Sequence, residues 1–440
     1  MQENRKLIFK SILSIAFPAI ITNITTPLLG MADVTIAGHM GSVFYVSAIA
    51  VGSNMFNLVY WLFGFLRMGS SGLTAQKFGA GKIGDSFLIL YRALAIGICS
   101  GILLIVLSYP LKIILLNVMD IEGQTRLLAV NYFNILIWGA PAVLGTFAIT
   151  GWFLGMQDTK SPMIISIAVN IINIVLSVWC VFSLEMKIEG LAVGTLTAQW
   201  VGFLLGLTFI VRKYGKHAKT RFSAIFNRDI FSFFRINIYI FLRTLCLVTV
   251  TLWFTRAGAA LGAEILAVNA LILQLFTLFS YFIDGFAFSA EALCGKYKGA
   301  RDKKGFHITC RILLEIAFTL SLIFSILYFI FGENLISFMC SDLTIKSLSN
   351  EYYIWAVTIP LAAFLAFTYD GIFIGVTEVR SLLWSLIGAT IVFFGVYLLT
   401  AGTLFNHGLW LAFILYLMTR GLILKVLSRK FKKDSFFKSD

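Results

Sequence analysis

The stretch SILSIAFPAIITNITTPLLGMADVTIAG, Ser11 to Gly38, decides how the rest of the chain is read. It carries a single ionisable group, Asp33, and as an α-helix it would run about 42 Å, more than the hydrocarbon of a bilayer requires. On a helical wheel Thr22, Thr26 and Asp33 share one face, while Pro18 and Pro27 each remove a backbone hydrogen bond and free a carbonyl one turn earlier. A carboxylate inside a membrane helix, beside an opened backbone, points to ion or proton handling. The competing reading is a structural ion pair with a neighbouring helix.

Working outward, the same apolar character recurs along all 440 residues, of which 59% are hydrophobic and 13% charged. Runs without Asp, Glu, Lys or Arg extend over Ser11–Ala32, Ala93–Leu111, Leu127–Gln157, Ser161–Leu184, Gly190–Val211 and Ser381–Thr419, the last long enough for two crossings. The pattern predicts an all-α polytopic membrane protein with twelve helices at 11–38, 45–76, 87–116, 127–156, 161–184, 188–211, 232–257, 264–294, 307–338, 347–376, 381–402 and 406–427. The basic, apolar N-terminus reads as a retained first helix, since no convincing small-x-small cleavage site follows it.

A net charge of +14 would suit a nucleic-acid partner if it were gathered in one patch. It is not: 28 of the 35 Lys and Arg fall at the termini or near the even-to-odd connections, and five (Lys112, Arg126, Lys187, Arg256, Lys346) lie on the other side. Arg67 and Arg243 sit within helices. This asymmetry predicts cytoplasmic termini and accounts for the basicity by topology, leaving no nucleic-acid role. The six cysteines form no CxxC pair, so neither a metal site nor a disulfide framework is expected. The four histidines are isolated, and HExxH, GxSxG and GxxxxGK[ST] are all absent, which argues against an enzyme and against ATP hydrolysis by this chain.

The chain repeats itself. GWFLGMQDTKS, Gly151–Ser161, aligns with GIFIGVTEVRS, Gly371–Ser381, at an offset of 220, and the same offset matches Gly79–Ala80 with Gly299–Ala300. An offset of 219 pairs Pro141 with Pro360, and a local offset of 217 pairs Arg67 with Asp284 and Asn57 with Gln274. Six helices separate the copies, so the repeat is parallel, an arrangement suited to alternating access. The expected organisation is an N-lobe at 1–211, a basic cytoplasmic linker at 212–231, and a C-lobe with a basic tail at 232–440.

Polar residues at helical spacing mark where chemistry would sit. In the fifth predicted helix Ser166, Asn170, Asn173 and Ser177 recur at four, three and four residues, and the sixth adds Thr195 and Gln199. With Asp33 they would line a hydrated pocket for a proton or small cation; alone they would serve as interhelical hydrogen bonds. Asp284, Glu291, seven residues further on the same face, and Asp370 are the remaining deep carboxylates. Each would either pair with a cation such as Arg67 or Arg243 or titrate during transport. A cavity lined by Phe, Met and a few carboxylates would accept an amphipathic organic cation.

Several segments carry a family likeness. FPAIITNITTPLLGMADVTIAGHMG, FLRMGSSGLTAQKFGAG, YFIDGFAFSAEALCGKYKGA and YDGIFIGVTE, taken in order over nearly the whole chain, resemble the DinF branch of the multidrug and toxic compound extrusion (MATE) transporters. The resemblance implies twelve helices in two lobes around a V-shaped cavity, and export of organic compounds coupled to inward H⁺ or Na⁺ flow without a cofactor. It places the family's first-helix aspartate on Asp33, its helix 5 asparagine on Asn173 and its helix 6 threonine on Thr195. The position four residues after that asparagine, an aspartate in some relatives, is Ser177 here. One fewer formal charge to compensate a dehydrated cation favours protons over sodium.

The function expected from these readings is a secondary antiporter of the bacterial cytoplasmic membrane. Its partners are membrane lipid and a small organic, cationic substrate, with no obligate protein partner. The alternative is a flippase for a lipid-linked precursor, which would require a site dominated by cationic side chains.

Overall fold

Apolar runs of this length in a membrane have one economical backbone solution, because only helices satisfy every N–H and C=O within the segment. A computed structural model describes residues 2–119, 121–218, 229–340 and 342–438, and helices are the only regular elements among them. They are α1 Gln2–Gly38, α2 Val43–Leu62, α3 Phe65–Gly79, α4 Ile83–Val106, α5 Ser108–Val118, α6 Gly123–Leu136, α7 Ala140–Gly155, α8 Lys160–Val178, α9 Lys187–Tyr214, α10 Asp229–Ala260, α11 Ala263–Gly299, α12 Lys303–Met339, α13 Leu343–Gly375, α14 Val379–Leu427 and a short α15 Ser435–Lys438.

Among the described residues eleven segments are long and apolar enough to cross a membrane, and the last, Val379–Lys432, has 54 residues and joins two helices across a kink. Phe405, at φ 46° and ψ −123°, breaks it between the spans expected at 381–402 and 406–427. The breaks the sequence did not announce are local. The second predicted helix divides at Phe63–Gly64, the third at Leu107, and the fourth at a 3₁₀ turn over Ile137–Gly139. Proline explains two of these, because Pro110 and Pro141 follow the break and their missing N–H is tolerated only near a helix start. Pro360, the repeat partner of Pro141, lies inside α13 instead. Side-chain caps set other starts: Ser42 accepts from Phe44 N, Asp302 from Gly305 N and Asp342 from Thr344 N and Ile345 N.

The chain divides into two compact units, one of Ile21–Asn237 and one of Met1–Ile20 with Ile238–Asp440. This division differs from lobes at 1–211 and 232–440 in grouping the first turns of α1 with the later helices. The basic linker is also narrower than 212–231. Arg212–Tyr214 belong to α9, α10 begins at Asp229, and the central part, 219–228, lies outside the described residues.

Within each unit one close helix crossing recurs. A methyl group on Gly151 of α7 would meet the Arg67 carbonyl of α3 at 2.3 Å, and one on Gly155 would meet the Ser71 carbonyl at 2.6 Å. In the other unit Gly371 and Gly375 of α13 stand in the same way against the Ala287 and Glu291 carbonyls of α11, at 2.2 and 2.4 Å. Only glycine permits backbones this close. The crossing fixes the register of the repeat at 220 on both helices, so Arg67 corresponds to Ala287, and Ser71 to Glu291. The expected pairing of Arg67 with Asp284 at 217 is therefore corrected: three residues is close to one helical turn, and sequence periodicity alone does not distinguish the two registers.

A second repeated device follows each crossing. After α7 the chain turns through Gln157 at φ 65°, and after α13 through Thr377 at φ 58°. Asp158 accepts from Lys213 Nζ at 2.9 Å and from Ser161 Oγ at 2.8 Å, and Lys213 also reaches Ser161 Oγ at 2.6 Å. In the other unit Lys430 Nζ donates to Glu378 at 2.5 Å and to Ser381 Oγ at 2.9 Å. Burial alone would push the Asp158 carboxyl up, but the hydrogen bonds from Lys213 and Ser161 outweigh it and hold the group below the usual carboxylate range.

Candidate functional site

In the unit of Ile21–Asn237, the packing of α8 on α9 begins from small residues. Gly190 and Gly194 of α9 are one turn apart, and a methyl on Gly194 would lie 2.8 Å from the Ser177 backbone nitrogen. That approach brings the polar face of α8 against α9. Asn173 Nδ2 donates to Thr195 Oγ1 at 2.8 Å, Thr195 Oγ1 donates to the Leu191 carbonyl at 3.0 Å, and Ser177 Oγ reaches Asn173 Oδ1 at 3.5 Å. All three side chains are buried.

Asp33 joins this cluster through a residue that sequence reasoning missed. Tyr132 of α6, buried in the core, lies close to Asp33, to Thr195 and to Ser53 of α2. Its ring fills the space that Gly52 leaves, since a methyl there would meet the ring at 2.4 Å. Asp33 itself is 6% exposed, and its Oδ1 has no hydrogen-bond partner. An ionised carboxylate with a buried, unsatisfied oxygen is costly, and binding a proton removes the charge. The signal in the sequence was faint: a tyrosine in an apolar helix reads as interfacial, and only the glycine across from it hints at a ring.

The neighbouring polar residues have other work. Thr25 Oγ1 donates to the Thr22 carbonyl at 2.8 Å and meets Ser166 Oγ at 3.1 Å, while Asn170 Nδ2 donates to the Thr25 carbonyl at 2.8 Å. Ser166 and Asn170 thus hold the backbone of α1 between Pro18 and Pro27, where the helix runs on without a break. The Thr26 side chain lies outside the described residues. Gln199 packs beside Gly139, at the start of α7, one turn along α9 from Thr195. Arg67 lies on α3 at the glycine crossing.

In the other unit Asp370 of α13 accepts hydrogen bonds at one oxygen from both Arg243 of α10 and Arg420 of α14. All three are buried. Asp284 lies in the electrostatic field of both arginines, and Glu291 in that of Arg243. Besides Arg67 and Arg243, two further arginines lie within helices. Arg420 is buried well inside the last helix and Arg92 is buried on α4. Arg420 was hidden because its place near the chain end let it be counted with the basic tail. Its guanidinium is committed to Asp370, as is that of Arg243, so these two buried arginines do not present the unpaired positive surface a flippase would need.

At the offset of 220 the residues corresponding to Asp33, Asn173 and Ser177 are Trp253, Phe393 and Tyr397. Trp253 packs edge-on against Phe394 and Tyr397 at centroid distances of 5.4 and 6.2 Å. The polar cluster of one repeat is an aromatic cluster in the other.

Comparison with known proteins bears on the chain as a whole. The MatE family model matches residues 18–179 and 236–399, once in each half. DNA damage-inducible protein F of Escherichia coli is 35% identical over 428 residues, covering 96% of this chain and 92% of that protein. A probable multidrug resistance protein NorM of Thermotoga maritima is 25% identical over 360 residues, covering 78% and 74%. Among solved structures, a MATE transporter in a bent conformation superposes with a TM-score of 0.88 at 18% identity, over 99% of this chain and 98% of that one.

Proposed function

We propose, for a chain that belongs to the MATE family of membrane transporters, that it exports amphipathic organic cations by secondary antiport, coupled to protons through Asp33. Membership makes it a transporter and not an enzyme, and the NorM relative carries multidrug resistance in its name. The observation that carries the coupling assignment is the buried Asp33 Oδ1 without a partner beside Tyr132.

Protons are favoured over sodium by the state of the neighbouring oxygens. The Thr195 hydroxyl accepts from Asn173 and donates to Leu191, and the Asn173 carbonyl accepts from Ser177. A sodium ion would need several of these oxygens turned toward it, with one carboxylate to offset its charge, whereas a proton needs only Asp33. Protonation on the outer side would neutralise Asp33 and change its relation to Tyr132 of α6, beside which Ser53 of α2 and Thr195 of α9 lie. The substrate-binding state loses its negative charge at that point and releases a cationic cargo. Deprotonation toward the cytoplasm restores it. The chain works in the bacterial cytoplasmic membrane with both termini cytoplasmic.

The test is transport in proteoliposomes of a fluorescent organic cation under an imposed pH gradient. Wild type should export it, and Asp33→Asn, which removes the titrating group while keeping its shape, should lose the gradient-driven component. Undiminished export in that variant overturns the assignment. Equal export by wild type under a sodium gradient at uniform pH overturns the choice of proton.

A further inference from the structure

Near the N-terminal end of α1 lies a cavity of about 490 Å³, open on one side and lined by Arg5, Lys6, Phe9, Ile312, Glu315 and Ile316. It belongs wholly to the unit of Met1–Ile20 and Ile238–Asp440 and is remote in sequence from Asp33 and its partners. Its mouth is ionic. Glu315 is held from both sides, by the Arg5 guanidinium at one oxygen and by Arg311 Nε at the other, the latter at 3.0 Å. One carboxylate therefore faces two guanidiniums, and Lys6 and Lys10 add two more exposed cations on α1. Arg5 and Arg311 keep 54% and 78% of their side-chain surface exposed, so most of their N–H donors remain free to meet an incoming acceptor.

Behind the ionic mouth the walls turn apolar. Phe9, Leu13 and Phe17 recur every fourth residue on α1 and are all exposed, and on α12 Ile316 is followed seven residues later by exposed Ile323. Both helices are membrane spans whose basic ends, Arg5–Lys10 and Lys303–Arg311, belong to the side predicted to be cytoplasmic. A cationic rim that accepts a phosphate bidentately, continuous with an apolar track at the depth of acyl chains, has the polarity of one class of molecule. The geometry points to a binding site for an anionic phospholipid, with its phosphate at Arg5, Lys6 and Arg311 and its acyl chains along Phe9, Leu13 and Ile316. Glu315 fixes the two arginines at the rim. The four cations Arg5, Lys6, Lys10 and Arg311 outnumber that one carboxylate and set the preference for net negative lipids, because a zwitterionic headgroup would bring its own cation against them.

The experiment is native mass spectrometry of the full chain in detergent, titrated with phosphatidylglycerol and, separately, with phosphatidylcholine of the same acyl chains. Wild type should carry the anionic lipid at several-fold higher occupancy. The double substitution Arg5→Ala with Arg311→Ala, and independently Lys6→Glu, should each lower that occupancy at least threefold. Lys346→Ala, a cation elsewhere on the chain, should leave it unchanged. Size-exclusion profiles matching wild type qualify each variant, and Lys6→Glu keeps the test alive where the double substitution disturbs α1. Equal occupancy by both lipids, wild-type occupancy in the charge variants, or displacement of the lipid by soluble glycerol phosphate at equal concentration would each overturn the site.

Discussion

Tyr132 shows how one side chain ties a predicted residue to predicted neighbours that it does not itself reach along the helix. Asp33, Asn173, Ser177 and Thr195 were legible because polar groups in apolar helices are few and fall at helical spacing; Tyr132 was not, because its role depends on Gly52 making room across an interface. Removing the hydroxyl with Tyr132→Phe keeps the packing and takes a buried polar group away from beside Asp33 and Thr195, a change on the order of 1 kcal/mol. The expected result is a lower melting temperature in detergent, together with a shifted pH profile of export relative to wild type. A profile identical to wild type would confine Tyr132 to a packing role. Gly52→Ala drives a methyl into the same ring and should reduce the folded yield more sharply than Tyr132→Phe, since a ring in a packed core has nowhere to move. Comparison of monodisperse fractions after purification checks it.

At the scale of elements, most of the helices were readable from apolar runs and charge, whereas the internal breaks and the register of the repeat were not. Runs of Leu, Ile and Phe look the same on either side of a break such as Phe63–Gly64, and the shift between 217 and 220 needed the carbonyls of Arg67 and Ala287 facing Gly151 and Gly371 to be resolved. The loop that joins α7 to α8 carries a pH signature. Asp158 is held below the usual carboxylate range by Lys213 and Ser161, so its folded value lies below its unfolded value near 4. A depressed acid contributes stability above the unfolded value and loses it as pH falls through the folded one. Lys213 is nearly half exposed, which limits the contribution to on the order of 1 kcal/mol. Asp158→Asn should therefore melt lower than wild type at pH 7, and the difference should close as the pH is taken from about 5 to 3. A gap that stays constant over that range would mean the ion pair does not titrate with folding.

For the whole molecule, the two repeats share a helix crossing and a basic clamp yet differ in what fills their centres. One carries Asp33, buried and in no ion pair among the described residues; the other places Trp253, Phe393 and Tyr397 at the corresponding positions and holds its acid Asp370 in ion pairs with Arg243 and Arg420. Such asymmetry within a duplicated fold argues that the coupling charge is carried on one side and that the buried triad serves to fix α10, α13 and α14 to one another. The two roles predict opposite outcomes. Breaking a buried ion cluster leaves uncompensated charge, a cost of about 3–5 kcal/mol, so Asp370→Asn should lower the melting temperature strongly by stranding two guanidiniums. Normalised to folded protein in the proteoliposomes, export by that variant should keep its dependence on the pH gradient. Asp33→Asn should do the reverse, leaving the melting temperature unchanged or raised, because the neutral amide removes a buried charge, while the gradient dependence disappears. A loss of gradient dependence in folded Asp370→Asn protein would assign the second carboxylate to coupling and make the transporter one that moves charge through both repeats.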